Sequence, residues 1–149
     1  MVISRAMKTV QGAFLVFCGA TLGTFLRAGV TLAHPAQPDS WPWTTFAINL
    51  IGAFVLGVLL ESLAIAGTDD GRQRIIRLTF GTGVLGGFTT YSTYVLEITQ
   101  RMDAPVLAVT YALVSMVLGV GAAGLGIGAR QFVARRSVEP PSRTVGEDS

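Results

Sequence analysis

Chemistry-bearing side chains crowd into one stretch of this sequence, Gly86-Gly87-Phe88-Thr89-Thr90-Tyr91-Ser92-Thr93-Tyr94, with Glu97 about a turn further on. Every residue from 89 to 94 carries a hydroxyl, and no formal charge falls between Arg77 and Glu97. An uncharged run of that length is what a helix needs to cross a bilayer. Gly86 and Gly87, each about 1 kcal/mol worse than Ala in a helix interior, stand in its middle beside β-branched threonines, and this predicts a break. Backbone carbonyls released inside lipid can be satisfied only by protein, by water in a cavity or by a cation. A helix broken at mid-depth is therefore a candidate ion site. The competing reading is that the glycines serve close packing and the hydroxyls bond back to their own helix.

Two further pairs share a helical face at a spacing of four, Thr45 with Asn49 and Tyr111 with Ser115. The polar groups inside apolar runs are then Thr45, Asn49, Thr89, Thr90, Tyr91, Ser92, Thr93, Tyr94, Tyr111 and Ser115, all neutral. Hydroxyl and amide hydrogens, with the positive edges of aromatic rings, suit a small anion that must shed its water. Neutral donors hold such an ion without trapping it, which conduction requires. No enzyme is expected, because no Ser-His-Asp, Cys-His or paired-carboxylate constellation is present and the one histidine, His34, falls in a proline-rich loop. Cys18 is the only cysteine, so an internal disulfide and a cysteine-built metal site are excluded. Residues 119–124 match GxGxxG, but an apolar run surrounds them and no strand precedes them, so a nucleotide fingerprint is rejected.

The elements that must position these groups follow from composition. Of the 149 residues 50% are apolar and 13% charged, about half the charge of a soluble domain. Four apolar runs predict four membrane-spanning helices: residues 9–30, with Gly19 and Gly23 at GxxxG spacing; 44–60; 75–98, holding the break; and 105–129, rich in glycine. A basic segment at 1–11 precedes a channel-forming unit at 12–130, and a polar tail at 131–149 is expected to be disordered. Even traversal places Arg5, Lys8, Arg72, Arg74, Arg77, Arg130, Arg135, Arg136 and Arg143 on one side, against Arg27 and Arg101 on the other. The positive-inside rule then makes both termini cytoplasmic, in a multi-pass protein of the cell membrane. The net charge of +2 arises from residues flanking apolar runs, not from a patch, and no nucleic-acid partner is expected. Four thin helices enclose a solvated path poorly, so an oligomer is expected.

The third-run motif, together with Arg27, Asn49, Tyr111 and Ser115, resembles the small four-helix fluoride channels of the Fluc (CrcB) family, over about residues 10 to 130. That resemblance implies a passive, fluoride-selective channel that protects the cell from fluoride, built as an antiparallel dimer whose broken third helices cross at the centre. It implies a structural, non-transported Na⁺ held by the carbonyls of Gly86 and Thr89. Asn49, Thr90, Tyr91, Ser92, Thr93, Tyr94, Tyr111 and Ser115 would line the fluoride pathways, and Arg27 and Glu97 would stand toward their mouths. Tyr91 and Tyr94 depart from the phenylalanines usual at their positions, adding a hydroxyl to each ring. The nine-to-two charge imbalance departs from the balance an inverted homodimer needs, and suggests pairing with a related, oppositely inserted chain. Two other readings stay open: a small proton-coupled exporter of cationic compounds, and a non-transporting assembly subunit of the membrane.

Overall fold

The computed structural model describes residues 2–37, 40–68 and 71–138, and among these the ordered elements are all helical. In chain order they are α1 (Val2–Ala33), α2 (Trp43–Ala66), α3 (Gly71–Ile76), a π-helical segment (Arg77–Leu85), α4 (Gly86–Phe88), α5 (Tyr91–Thr99) and α6 (Pro105–Val138). Three helical stretches are long and apolar enough to cross a membrane: Met7–Ala33, Trp43–Ala66 and Pro105–Ser137. The run expected as a third crossing is instead assembled from α3, the π segment, α4 and α5, with an extended link at Thr89 and Thr90.

Two seams, each nearly free of side chains, hold the helices together. On one, Gly19 and Gly23 of α1 face the π segment and α4. A Cβ at Gly19 would overlap the carbonyl of Thr79 and one at Gly23 that of Val84, while Gly83 and Gly87 on the opposite side abut Gly19 and Ala20. GxxxG spacing thus meets GxxxG spacing, and the backbones approach as closely as two helices can. On the other seam, Gly57 of α2 abuts the Ala123 carbonyl and Gly126 of α6 abuts the Phe54 carbonyl. The rest of the glycine run in α6 does not serve contact within this protomer, for Gly119, Gly121, Gly124 and Gly128 face open space. Large apolar side chains such as Phe14, Phe17 and Phe25 point outward, the pattern of a surface solvated by lipid or a partner subunit.

Helix boundaries run past those expected. α1 starts at Val2, inside the segment read as a basic lead-in, and α6 continues beyond residue 130 to Val138. The extension of α6 contains no glycine or proline, and its first turn is tied to α2 by Arg130 Nε donating to Ser62 Oγ at 3.0 Å and Gln131 Nε2 donating to Glu61 Oε1 at 3.1 Å. The remainder of the expected tail, 139–149, lies outside the described residues, as do Pro38, Asp39, Asp69 and Asp70.

Candidate functional site

The break falls after the glycines, not at them. Gly86 is helical (φ −64°, ψ −36°), whereas Thr89 (φ −72°, ψ 158°) and Thr90 (φ −143°, ψ 122°) are extended. Two devices impose this. Thr90 is the N-cap of α5, its Oγ1 accepting from the Thr93 amide at 3.1 Å. Asn49 of α2 then clamps the Thr90 backbone from both sides: its Oδ1 accepts from the Thr90 amide at 2.9 Å and its Nδ2 donates to the Thr90 carbonyl at 3.1 Å. In a continuous helix the amides of Thr90 and Thr93 would bond to the carbonyls of Gly86 and Thr89. Both are diverted, to Asn49 and to the Thr90 hydroxyl. The Gly87 carbonyl, likewise next to the break, accepts from Arg27 Nε at 3.3 Å and from Thr24 Oγ1 at 3.5 Å. Arg27 therefore reaches from α1 to brace the broken segment.

Donor accounting sorts the hydroxyls. Thr89 spends its hydrogen on the Leu85 carbonyl (2.9 Å), Thr90 on Thr93 Oγ1 (3.0 Å), and Tyr94 on the Ala112 carbonyl of α6 (2.8 Å). Thr45 and Tyr111 both donate to Glu97, at 2.6 Å to Oε1 and 2.9 Å to Oε2. Glu97 is thus only 5% exposed, enclosed between α2, α5 and α6, where a position toward a mouth was expected. Its neighbour Arg101, 3% exposed, donates to three carbonyls: Glu97 (2.9 Å), Ser40 (3.0 Å) and Gln37 (2.8 Å), tying the loop before α2 onto the end of α5. Ser115 Oγ, by contrast, is buried with no hydrogen-bond partner among the described residues. The second Nδ2 hydrogen of Asn49 is also uncommitted, since an amide carries two and the clamp uses one.

A recess of about 680 Å³ brings the two uncommitted donors, Asn49 and Ser115, onto one surface with residues whose hydrogens are already spent. Asn49, Thr90, Tyr91, Tyr94 and Ser115 line it, and Gly86 and Thr89 reach the same surface. Apolar side chains such as Leu56 and Met116 complete the wall, so few other polar groups stand beside those hydrogens. Rings continue from it in a file: Tyr91 to Tyr94 with centroids 6.2 Å apart, Tyr94 to Tyr111 at 5.4 Å, and Tyr111 edge-on to Trp41 at 5.3 Å. Tyr111, buried against Glu97, stands beyond the recess wall, while Ser92 and Thr93 cluster on the Thr90 hydroxyl at 3.3 and 3.0 Å. Sequence reasoning counted Thr45 among the neutral donors suited to an anion, whereas its hydrogen is spent on Glu97, and it read Arg101 as a topology charge. The available signals were the shared face of Thr45 and Asn49 and the i, i+4 spacing of Glu97 and Arg101. The Trp41 indole Nε1 is likewise buried without a hydrogen-bond partner among the described residues.

Long apolar helices, and a broken segment held open by side chains beside a recess with a few neutral donors, define a multi-pass membrane protein. Comparison with known proteins assigns the family. The family described as CrcB-like protein, Camphor Resistance (CrcB), matches residues 14–127, and the chain belongs to it. It is 46% identical over 126 residues to the fluoride-specific ion channel FluC 1 of Cutibacterium acnes, covering 83% of this chain and 88% of that one. It is 47% identical over 119 residues to FluC 2 of Leifsonia xyli, covering 77% and 81%. To the FluC of Beijerinckia indica it is 42% identical over 122 residues, covering 79% and 94%.

Proposed function

We propose that this chain is a subunit of a fluoride-selective channel through which the anion leaves the cytoplasm passively, lowering its toxicity. The observation that carries the reading is the unpartnered Ser115 hydroxyl beside the Asn49-clamped break, in a chain whose relatives bear the name of fluoride-specific channels. Fluoride is small and strongly hydrated, and giving up its water needs hydrogens already aimed and already dry. Ser115 and the spare Asn49 hydrogen meet that need, with Tyr91, Ser92 and Thr93 extending the track. Tyr94 presents its ring, since its hydroxyl is spent on Ala112. Glu97 does not bare its charge to the path, because two hydroxyls enclose it. An exposed anion there would repel the permeant ion.

In the bilayer, the four pieces from α3 to α5 together act as the third of four crossings, and two subunits in opposite orientation bring their broken segments together. The carbonyls of Gly86 and Thr89, whose helical amides are diverted, suit a hard monovalent cation, and we assign them a structural Na⁺ shared between the subunits, bound but not transported. The residues fit such an ion in chemistry: neutral oxygens, with no carboxylate among the residues of the recess wall. Both termini lie in the cytoplasm in this arrangement, and the charge imbalance favours a related, inverted partner chain over a second copy.

Fluoride efflux from liposomes holding the purified chain, alone and mixed with a paralogous subunit, tests the reading. Fluoride should leave without a proton gradient, and Ser115→Ala should cut the flux by a factor of ten or more, as expected for one dry donor. Flux no faster than from empty liposomes in both arms, or dependent on a proton gradient, overturns it.

A further inference from the structure

A second recess, of about 370 Å³, opens in the angle between α1 and α3, on the α1 side of the broken segment. Lys8, Gln11 and Leu15 line it from one helix, and Arg74, Ile75 and Leu78 from the other or its continuation. The polarity is graded along the helices. Lys8 stands at the start of the apolar stretch of α1 (Met7–Ala33) and Leu15 two turns deeper, just as Arg74 precedes Leu78 by a turn. Each pair shares a helix face. Gly12 is what lets the two faces converge, for a Cβ there would already meet Leu78 Cδ1 at 3.3 Å and stand 3.8 Å from Arg74 Nη2. Neither Lys8 nor Arg74 has a hydrogen-bond or ion-pair partner among the described residues.

We propose that this recess binds the headgroup of an anionic phospholipid, the phosphodiester between the Lys8 ammonium and the Arg74 guanidinium and an acyl chain descending over Leu15 and Leu78. Two cations and an amide at the rim of a leucine-lined slot match that amphiphile and no simple anion, because a free phosphate would leave the apolar floor unused. The location agrees. Both cations fall on the side carrying nine of the eleven basic residues, the side facing the anionic leaflet when the chain obeys the positive-inside rule. A lipid lodged here would hold α1 against α3 at the end of the seam that braces the break.

The full-length protein, purified in neutral detergent, would be titrated with phosphatidylglycerol and with phosphatidylcholine of the same acyl chains, reading bound lipid by native mass spectrometry and thermal stability in parallel. Phosphatidylglycerol should bind preferentially. Lys8→Gln with Arg74→Gln should weaken it roughly 30-fold, and the milder Lys8→Gln alone roughly fivefold, at about one charge contact each. Arg135→Gln with Arg136→Gln removes the same charge from α6 and should leave lipid binding within twofold. Unchanged fluoride flux of the double variant in phosphatidylcholine liposomes shows that it folds, and if the double variant does not fold, the Lys8 variant carries the test. Equal binding of the two lipids, equal losses for the two double variants, or full reproduction of the stabilisation by millimolar inorganic phosphate would each overturn the proposal.

Discussion

Replacing Asn49 by alanine removes both hydrogen bonds that hold the Thr90 peptide, at 2.9 and 3.1 Å, and so asks whether the break survives without its clamp. If it does, a buried amide and a buried carbonyl lose their partners. At about 1 kcal/mol net for each neutral bond, and up to about 3 for a group left dry, the cost is roughly 2 to 6 kcal/mol. The chain has a cheaper escape. The Thr90 amide can turn back to the Gly86 carbonyl, its partner in a continuous helix, which recovers most of that loss but closes one of the two carbonyls assigned to Na⁺. Asn49→Ala is therefore expected to cost about 1 to 2 kcal/mol, to abolish fluoride flux, and to erase any preference of thermal stability for Na⁺ over K⁺. Melting of the purified protein in matched chloride salts, with flux measured on the same preparation, reads all three. An Asn49→Ala protein that keeps both its flux and its cation preference would show that the break does not depend on this clamp.

Three other outcomes follow from the same contacts. Gly23→Ala drives a Cβ into the Val84 carbonyl and should cost about 1 to 3 kcal/mol, whereas Gly128→Ala, facing open space, should stay within about 0.5 kcal/mol; thermal melts of the pair decide whether the seam is as tight as described. Arg101→Lys keeps the charge but loses the fork that serves three carbonyls, and should lower stability by on the order of 3 kcal/mol, far more than a surface exchange. Tyr94→Phe gives up one bond to Ala112, about 1 kcal/mol, yet keeps the ring; liposomal flux should stay within about threefold of the parent, and a loss of a hundredfold would assign the hydroxyl a direct part in permeation.

Much of this was legible from residue types. The apolar runs located three long helices, because lipid leaves a helix little choice but to satisfy its own backbone, yet each runs further than expected: α1 starts at Val2 and not at 9, α2 ends at Ala66 and not at 60, and α6 ends at Val138 and not at 129. The break was anticipated within three residues, but for a reason that does not hold. Gly86 and Gly87 were read as weak points, yet Gly86 is helical and Gly87 lies against the Ala20 backbone, while the opening is made by the Thr90 cap and by Asn49 reaching from α2. A clamp between residues 41 apart leaves no local trace. The π-helical turns of Arg77–Leu85 left none either, since their neighbours on α1 matter as much as their own sequence. Likewise the hydroxyl count from 89 to 94 could not say which hydrogens are spent internally. Only the partners, Leu85 a turn back on the same segment and Ala112 and Glu97 across helices, separate Ser115 from those whose hydrogens are spent.

The glycine seam between α1 and the π segment bears on how ions can cross at all. Where main chain rests on main chain there are no rotamers to exchange and no slack into which one rod could tilt, so α1 and the half of the split rod before the kink must travel as one rigid piece. A carrier that exposes its load first to one face and then to the other would have to carry that piece whole against α2 and α6, since the joint itself gives no play. Whatever passes beside the kink therefore meets, on this side, main chain held against main chain and not side chains free to swing.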